Sequence, residues 1–347
     1  MRLSGIAAVV LGFVGALSWC GTSDPVTPNP SADSVPTRAL SDPGTWTYLG
    51  FAGGRYPDGE IMPSEHHTSG VMLARAVVPL DGSGAPSSGG RIVLLSIGMS
   101  NTTQEFCSGG PAGCAAGSFV GQARADPAVR SGDLVLVDGA RGGQTAGTWD
   151  EPSDPNYDGV RDNRLLPAGV TERQVQIAWV KVANPQPTVS LPASGADAYR
   201  LVGQLGGIAR ALRVRYPNLK LAFFSNRTYA GYATTSLNPE PYAYESGFAV
   251  KWAIQAQITQ MAGGPTDPRA GNLDRDILAP WMGWGPDLWA NGTSGRADGF
   301  SWERGDFAAD GTHPAAAGVQ KVGRLLLGFF KGSPQTRCWF VIGGVCS

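Results

Sequence analysis

Five short apolar runs mark the middle and later parts of the chain. Arg91-Ile92-Val93-Leu94-Leu95-Ser96-Ile97 is almost continuous, as expected of a strand buried on both faces. Leu134–Val137, Val175–Val182 and Leu219–Phe224 repeat the pattern, and Ile277–Trp281 does so more weakly. Between them the apolar spacing changes to three and four. Leu201, Val202, Leu205, Ile208, Leu212 and Tyr216 fall on one side of a helix over 196–216. A second helix is expected over 248–261. A third is expected over 314–330, with Val319, Val322, Leu325, Leu326 and Phe329 on one side. Buried strands alternating with helices predict a three-layer α/β/α sandwich around a mostly parallel five-stranded sheet. Val71–Leu80 reads as a further strand leading toward this domain.

The ends read differently. Arg2 precedes an apolar run from Ile6 to Leu17 that is short for a membrane span, so residues 1–20 read as an export signal. Cleavage after Ser18 and lipid attachment at Cys20 are the two alternatives. Residues 21–43 are rich in Pro, Ser, Thr and Asp and read as a flexible linker. Residues 44–347 form one expected domain. It comprises an N-terminal extension (44–90), a core (91–332) and a tail (333–347) closed by a disulfide. Export makes two local disulfides the expected use of the remaining cysteines, Cys107 with Cys114 and Cys338 with Cys346. Neither spacing suits zinc. The expected location is secreted or periplasmic.

Charge narrows the partners. With 27 Lys and Arg against 28 Asp and Glu, the net charge is -1. There is no long-range attraction for nucleic acid or an anionic membrane, so contact with a membrane is expected only through a lipid on Cys20.

In parallel α/β sheets, reactive groups collect beyond the carboxyl ends of strands. Ser100 follows the first run, where it is either a nucleophile or a helix N-cap. A glycine-rich turn containing Gly142 and Gly143 follows the second, and Asn184 follows the third. One of only three histidines, His313, lies three residues after Asp310 and directly before Pro314. A carboxylate so placed can fix an imidazole tautomer and stabilise the imidazolium. Pro314 suits the first position of the helix expected there. The same run also suits a plain helix cap.

The order Ser, Gly, Asn, Asp-x-x-His at successive strand ends resembles the SGNH hydrolases, also called GDSL esterases and lipases. The resemblance covers roughly residues 91–330. It implies a flavodoxin-like fold, Ser100 as nucleophile, and His313 as acid–base oriented by Asp310. It also implies an oxyanion hole from Ser100, Gly143 and Asn184, and no metal or organic cofactor. Two positions depart from the family pattern. Met99 stands where Asp precedes the serine, and the usual Gly-x-Asn-Asp is missing around Asn184. Asn226, after the fourth run, is its rival.

The implied substrate is a small-molecule or polysaccharide ester, with removal of acetyl groups from carbohydrate the first expectation. A lipase, a general carboxylesterase, or a non-catalytic module that binds a glycan or a partner are the alternatives. Arg227, Tyr229, Trp281 and Trp302 are the candidate substrate contacts, with Trp284, Trp289, Glu245 and Lys251 nearby in sequence. Each fits a core or surface role equally well. Asp154-x-Asn156-x-Asp158-Gly159 begins like a calcium loop but has Leu165 at the twelfth position. His66 and His67 read as part of a solvated loop.

Overall fold

The computed structural model describes residues 36–109 and 113–347. The expected export signal, Cys20 and the first part of the expected linker lie outside the described residues. In chain order the elements are β1 (Thr47–Tyr48), β2 (Phe51–Ala52), α1 (Ser64–Arg75), β3 (Ile92–Gly98), α2 (Ser100–Phe106), α3 (Phe119–Ala125) and β4 (Leu134–Asp138). There follow α4 (Pro155–Val160), β5 (Val175–Lys181), α5 (Asp197–Arg215), β6 (Leu221–Phe224), α6 (Tyr242–Met261), β7 (Trp281–Trp284), α7 (Ala316–Gly332) and α8 (Arg337–Phe340).

The main sheet has the order β4-β3-β5-β6-β7, and every neighbouring pair is parallel. Counted along its own five strands this is 2-1-3-4-5, the flavodoxin-like order. β1 and β2 form a separate antiparallel pair. Strand alternation divides the core. Val93, Leu95 and Ile97 of β3 face one layer, with Leu201, Leu205 and Ile208 of α5 and Phe248 of α6. Ile92 and Leu94 face the other, with Phe119 of α3, Val322 and Leu326 of α7, and Phe340 of α8. This is the three-layer sandwich. Each fully buried Leu or Ile in it contributes roughly 1.5–3 kcal/mol.

Several boundaries differ from the sequence reading. The stretch from Val71 does not form a strand; it lies in α1, whose buried residues His66, Gly70, Val71 and Ala74 recur at helical spacing. A Cβ at Gly70 would sit 2.6 Å from the Trp281 ring, so this helix packs flat against that indole. The last strand lies later than expected, at Trp281–Trp284, because Ile277 and Leu278 are in an exposed turn capped by Asp274. Pro314 is not the first residue of α7. Its segment pairs with Phe307, and the helix begins at Ala316. α6 starts at Tyr242, six residues before Phe248, because Tyr244 already packs on Tyr48 and Trp289.

The expected linker is also corrected at its end. Ala39 and Leu40 are fully buried in the α5–α6 layer. Asp42 holds them there by accepting the Ala39 N–H at 3.0 Å and the Ala297 N–H at 2.8 Å. Two apolar residues are too few to announce a core by pattern. Cys107–Cys114 and Cys338–Cys346 are both disulfides. The second closes the tail, and the Cys346 carbonyl accepts Arg75 from α1 at 3.0 and 2.9 Å.

Candidate active site

The site grows from the end of β3. Gly98 passes so close to β5 that a Cβ there would lie 2.2 Å from the Lys181 carbonyl oxygen. Only glycine allows that approach. Thr102 then ties the turn down: its hydroxyl accepts the Met99 N–H at 3.2 Å and donates to the Lys181 carbonyl at 2.7 Å. Ser100 is therefore the first residue of α2, where a backbone N–H has no intrahelical acceptor.

His313 arrives on a loop folded like a small clasp. Ala308 N–H donates to the His313 carbonyl, and Ala315 N–H to the Asp306 carbonyl, both at 2.8 Å. At its tip Gly311 has a φ of 65°. A Cβ there would fall 1.8 Å from the Tyr232 carbonyl oxygen, so the turn needs glycine. Thr234 N–H donates to the Asp310 carbonyl at 2.9 Å and fastens the clasp to the segment after β6.

These two supports bring three side chains into line. Ser100 Oγ lies 2.8 Å from His313 Nε2, and His313 Nδ1 lies 2.5 Å from Asp310 Oδ2. Asp310 Oδ1 accepts the Thr312 and His313 N–H groups, each at 3.0 Å. Burial alone would raise the Asp310 carboxyl. The hydrogen bond from the His313 ring and the two backbone N–H groups outweigh it and hold the carboxyl below its usual range. The His313 and Asp310 side chains are 26% and 27% exposed, so the pair is open to substrate and water.

One residue missed by sequence reasoning links the two halves. Asn101 donates to the Thr312 carbonyl at 3.3 Å and accepts Arg227 Nη1 at 2.8 Å. It spans the helix that begins at Ser100 and the histidine clasp. Its position directly after Ser100 was the available signal. Below it lies a buried ion pair, Lys181 of β5 with Glu105 of α2, both side chains with no exposure. Burial lowers the Lys181 ammonium to about 8, with the Glu105 charge opposing the shift.

The other expected oxyanion donors lie on the segments after β4 and β5, the two neighbours of β3. A Cβ on Gly142 would be 3.8 Å from Ser100 Cβ, and Gly143 follows it. Ala146 N–H donates to the Ala183 carbonyl at 3.0 Å, which joins the glycine turn to the segment carrying Asn184. Asn184 is buried; its Nδ2 makes a long 3.4 Å contact with the Asp197 carbonyl, and its Oδ1 has no partner. Asn226, the rival, has both amide atoms engaged. Its Nδ2 donates to Asp287 at 2.7 Å and its Oδ1 accepts Leu288 N–H at 2.8 Å.

The candidate substrate contacts are largely corrected. Trp281 and Trp302 are buried, and their indole N–H groups donate to the carbonyls of His66 and Leu288. Trp284 and Trp289 are buried as well, donating to the Arg55 carbonyl and to Glu240. Arg227 is buried beneath the site and serves Asn101. Tyr229 is half-buried, with its ring edge-on to Tyr232 and Trp289. Glu245 and Lys251 are buried structural groups: Glu245 accepts Tyr48 Oη and Leu191 N–H, and Lys251 donates to the Ala52 and Gly53 carbonyls.

Two further stretches have local structural roles. Asp154, Asn156 and Asp158 diverge along the start of α4. Asp154 accepts Glu151 N–H, Asn156 donates to Gln144 and Thr148, and Asp158 pairs with Arg161 and Arg215. His66 is not in a solvated loop. It is buried and stacked on Trp281, and burial lowers its imidazole to about 4.

No protein-family model matches the chain, and no curated protein matches it. Similar solved structures include a protein of Slackia heliotrinireducens proposed as an SGNH hydrolase, at 17% identity and a TM-score of 0.32 over 69% of this chain and 98% of that one. An extracellular lipase of Streptomyces rimosus is similar at 14% identity and a TM-score of 0.30, over 68% of this chain and 97% of that one. Phospholipase A1 of Streptomyces albidoflavus is similar at 11% identity and a TM-score of 0.31, over 68% and 98%.

Proposed function

We propose that the protein is an exported serine ester hydrolase of SGNH type that works through an acyl-serine intermediate. The observation that carries this reading is the single line of contacts Ser100 Oγ–His313 Nε2–Asp310 Oδ2, at 2.8 and 2.5 Å, formed at the carboxyl end of the sheet. A hydroxyl, an imidazole and a carboxylate in that order make an activated nucleophile. A cleft of about 470 Å³ between α5 and α6 is lined by Tyr199, Trp252 and Arg269 and holds none of these groups. Chemistry rather than size selects the site.

In the proposed cycle His313 Nε2 takes the Ser100 proton while Oγ attacks the ester carbonyl. Asp310 keeps the Nδ1 proton in place and stabilises the imidazolium. The carbonyl oxygen becomes an oxyanion facing the Ser100 N–H, the Gly143 N–H and the Asn184 amide, which turns from its long contact with Asp197. Each such donor lowers the barrier by about 3 kcal/mol. The tetrahedral adduct collapses, the C–O bond to the alcohol breaks, and His313 returns its proton to the leaving oxygen. Water, deprotonated by the same ring, then frees the acid and regenerates Ser100.

Both disulfides support export to an oxidising compartment, with residues 1–20 as its signal, and the described residues from 36 onward as one domain. With the four tryptophans buried, short acyl esters fit the site better than a stacked sugar chain. The test is hydrolysis of 4-nitrophenyl acetate by wild type and Ser100→Ala, matched for foldedness by circular dichroism. Wild-type turnover that Ser100→Ala lacks supports the reading, and equal rates or none in either sink it.

A further inference from the structure

A cleft of about 350 Å³ opens beside the nucleophile, walled by Gly139, Arg141, Trp149, Asn156, Asn163 and Arg164. It begins at the carboxyl end of β4, since Gly139 follows Asp138 directly. It also shares a turn with the serine. Arg141 N–H donates to the Gly98 carbonyl at 3.1 Å, and the next residue, Gly142, is the one placed against Ser100 Cβ. The failed calcium motif supplies part of the far wall through Asn156.

The charges around this cleft are unevenly satisfied. Arg161 pairs with Asp158 and Asp162, and Arg215 with Asp158 and Glu172. Asp138 is half-buried, and its oxygens accept Ser96, Thr103 and the Ala140 N–H. The acids on this side are thereby engaged. Arg141 and Arg164 line the cleft, and neither has a carboxylate within 4 Å among the described residues. Trp149, fully buried in the wall, has an indole N–H with no partner. Two guanidinium groups with no carboxylate in ion-pair contact are the complement of an anion, and guanidinium binds carboxylate in a paired geometry.

Topology says which part of an ester meets them. Ser100 stands at the end of β3. The cleft lies at the neighbouring edge strand β4, whereas the His313 clasp is fastened to the segment after β6, on the other side of β3. His313 protonates the leaving alcohol, so the alcohol lies on its side and the acyl part extends toward β4. We propose that the preferred substrates are esters whose short acyl part ends in a negative charge, such as the half-ester of a dicarboxylic acid, held by Arg141 and Arg164. This rests on the serine-esterase reading above.

The experiment compares monoethyl succinate with ethyl butyrate, which share a four-carbon acyl chain, by titrating released acid with the full chain. Expected is a kcat/KM ratio favouring the succinate ester in wild type. That ratio should fall about 10- to 100-fold in the Arg141→Gln/Arg164→Gln double variant. An unchanged ratio, or a wild type that prefers butyrate, overturns the proposal while leaving the esterase reading intact. If no ester is turned over, the esterase reading fails by itself. Calorimetry with free succinate then decides: binding by wild type that the double variant loses upholds the cleft's anion preference, and no binding or equal binding overturns it.

Discussion

Two acid–base side-chain pairs lie close together in this molecule and are built in opposite ways. Asp310 and His313 are three residues apart, on one loop, with about a quarter of each side chain open to solvent. Glu105 and Lys181 are 76 residues apart, on a helix and a strand, with no exposure at all. The first pair keeps its outer nitrogen for Ser100. The second has its charges spent on each other. A pair that is to pass a proton must remain reachable, and a sealed ion pair can only hold elements together, at a desolvation cost that complete pairing offsets.

The comparison breaks most sharply at Asp310. Asp310→Asn keeps an oxygen for the two backbone N–H groups but presents the wrong partner to the His313 ring. The expected result is a fall in kcat of about 10⁴-fold with little change in melting temperature. A loss below tenfold would mean that the carboxylate does not orient the ring.

Glu105→Ala is the counterpart. It leaves the Lys181 ammonium buried alone and should cost about 3–5 kcal/mol, read from urea unfolding. Replacing both residues by apolar ones, Glu105→Leu with Lys181→Met, should recover most of that loss. If the double variant is no more stable than the single one, the pair does more than neutralise itself.

Asn101→Ala falls between the two regions. It removes the link from the nucleophile helix to Thr312, and Arg227 loses its hydrogen-bond acceptor. We expect kcat to drop about tenfold, with KM changed much less, because the Ser100–His313 alignment loosens. A rise in KM alone would place Asn101 in substrate binding instead.

The smallest effect concerns Glu245, which is buried and has no cationic partner within 4 Å among the described residues. Burial raises its carboxyl to about 7, against the Leu191 N–H and Tyr48 hydrogen bonds. A carboxyl raised in the folded state stabilises fully below its unfolded value near 4.5, and that stabilisation is lost as the pH rises through about 7. Glu245→Gln should therefore flatten the melting temperature between those limits. A wild-type curve that rises across this window would refute the assignment.

How far the fold was legible follows the same division. β3, β4 and β5 announced themselves because strands buried on both faces are apolar throughout, and α5 because its buried positions recur at helical spacing. The Asp310–His313 pair was legible because it is local. Trp281, Trp284 and Trp302 were not, because each is buried where a carbonyl remote in sequence or on another segment accepts its indole N–H. Those carbonyls belong to His66, Arg55 and Leu288. Arg227 was misplaced for the same reason: its partner Asn101 is 126 residues away. Helix α1 was misread because Val71–Val78 is apolar enough for a strand, while the contact that decides it, Gly70 against Trp281, is long-range.

The two disulfides join cysteines only 7 and 8 residues apart, and each cysteine pairs with its nearest neighbour along the described chain. A chain that crosses a membrane amino end first presents Cys107 and then Cys114 well before Cys338 and Cys346. Under the proposed export, oxidation in order of arrival among the described cysteines therefore favours these two local links over a cross-link between the two loops.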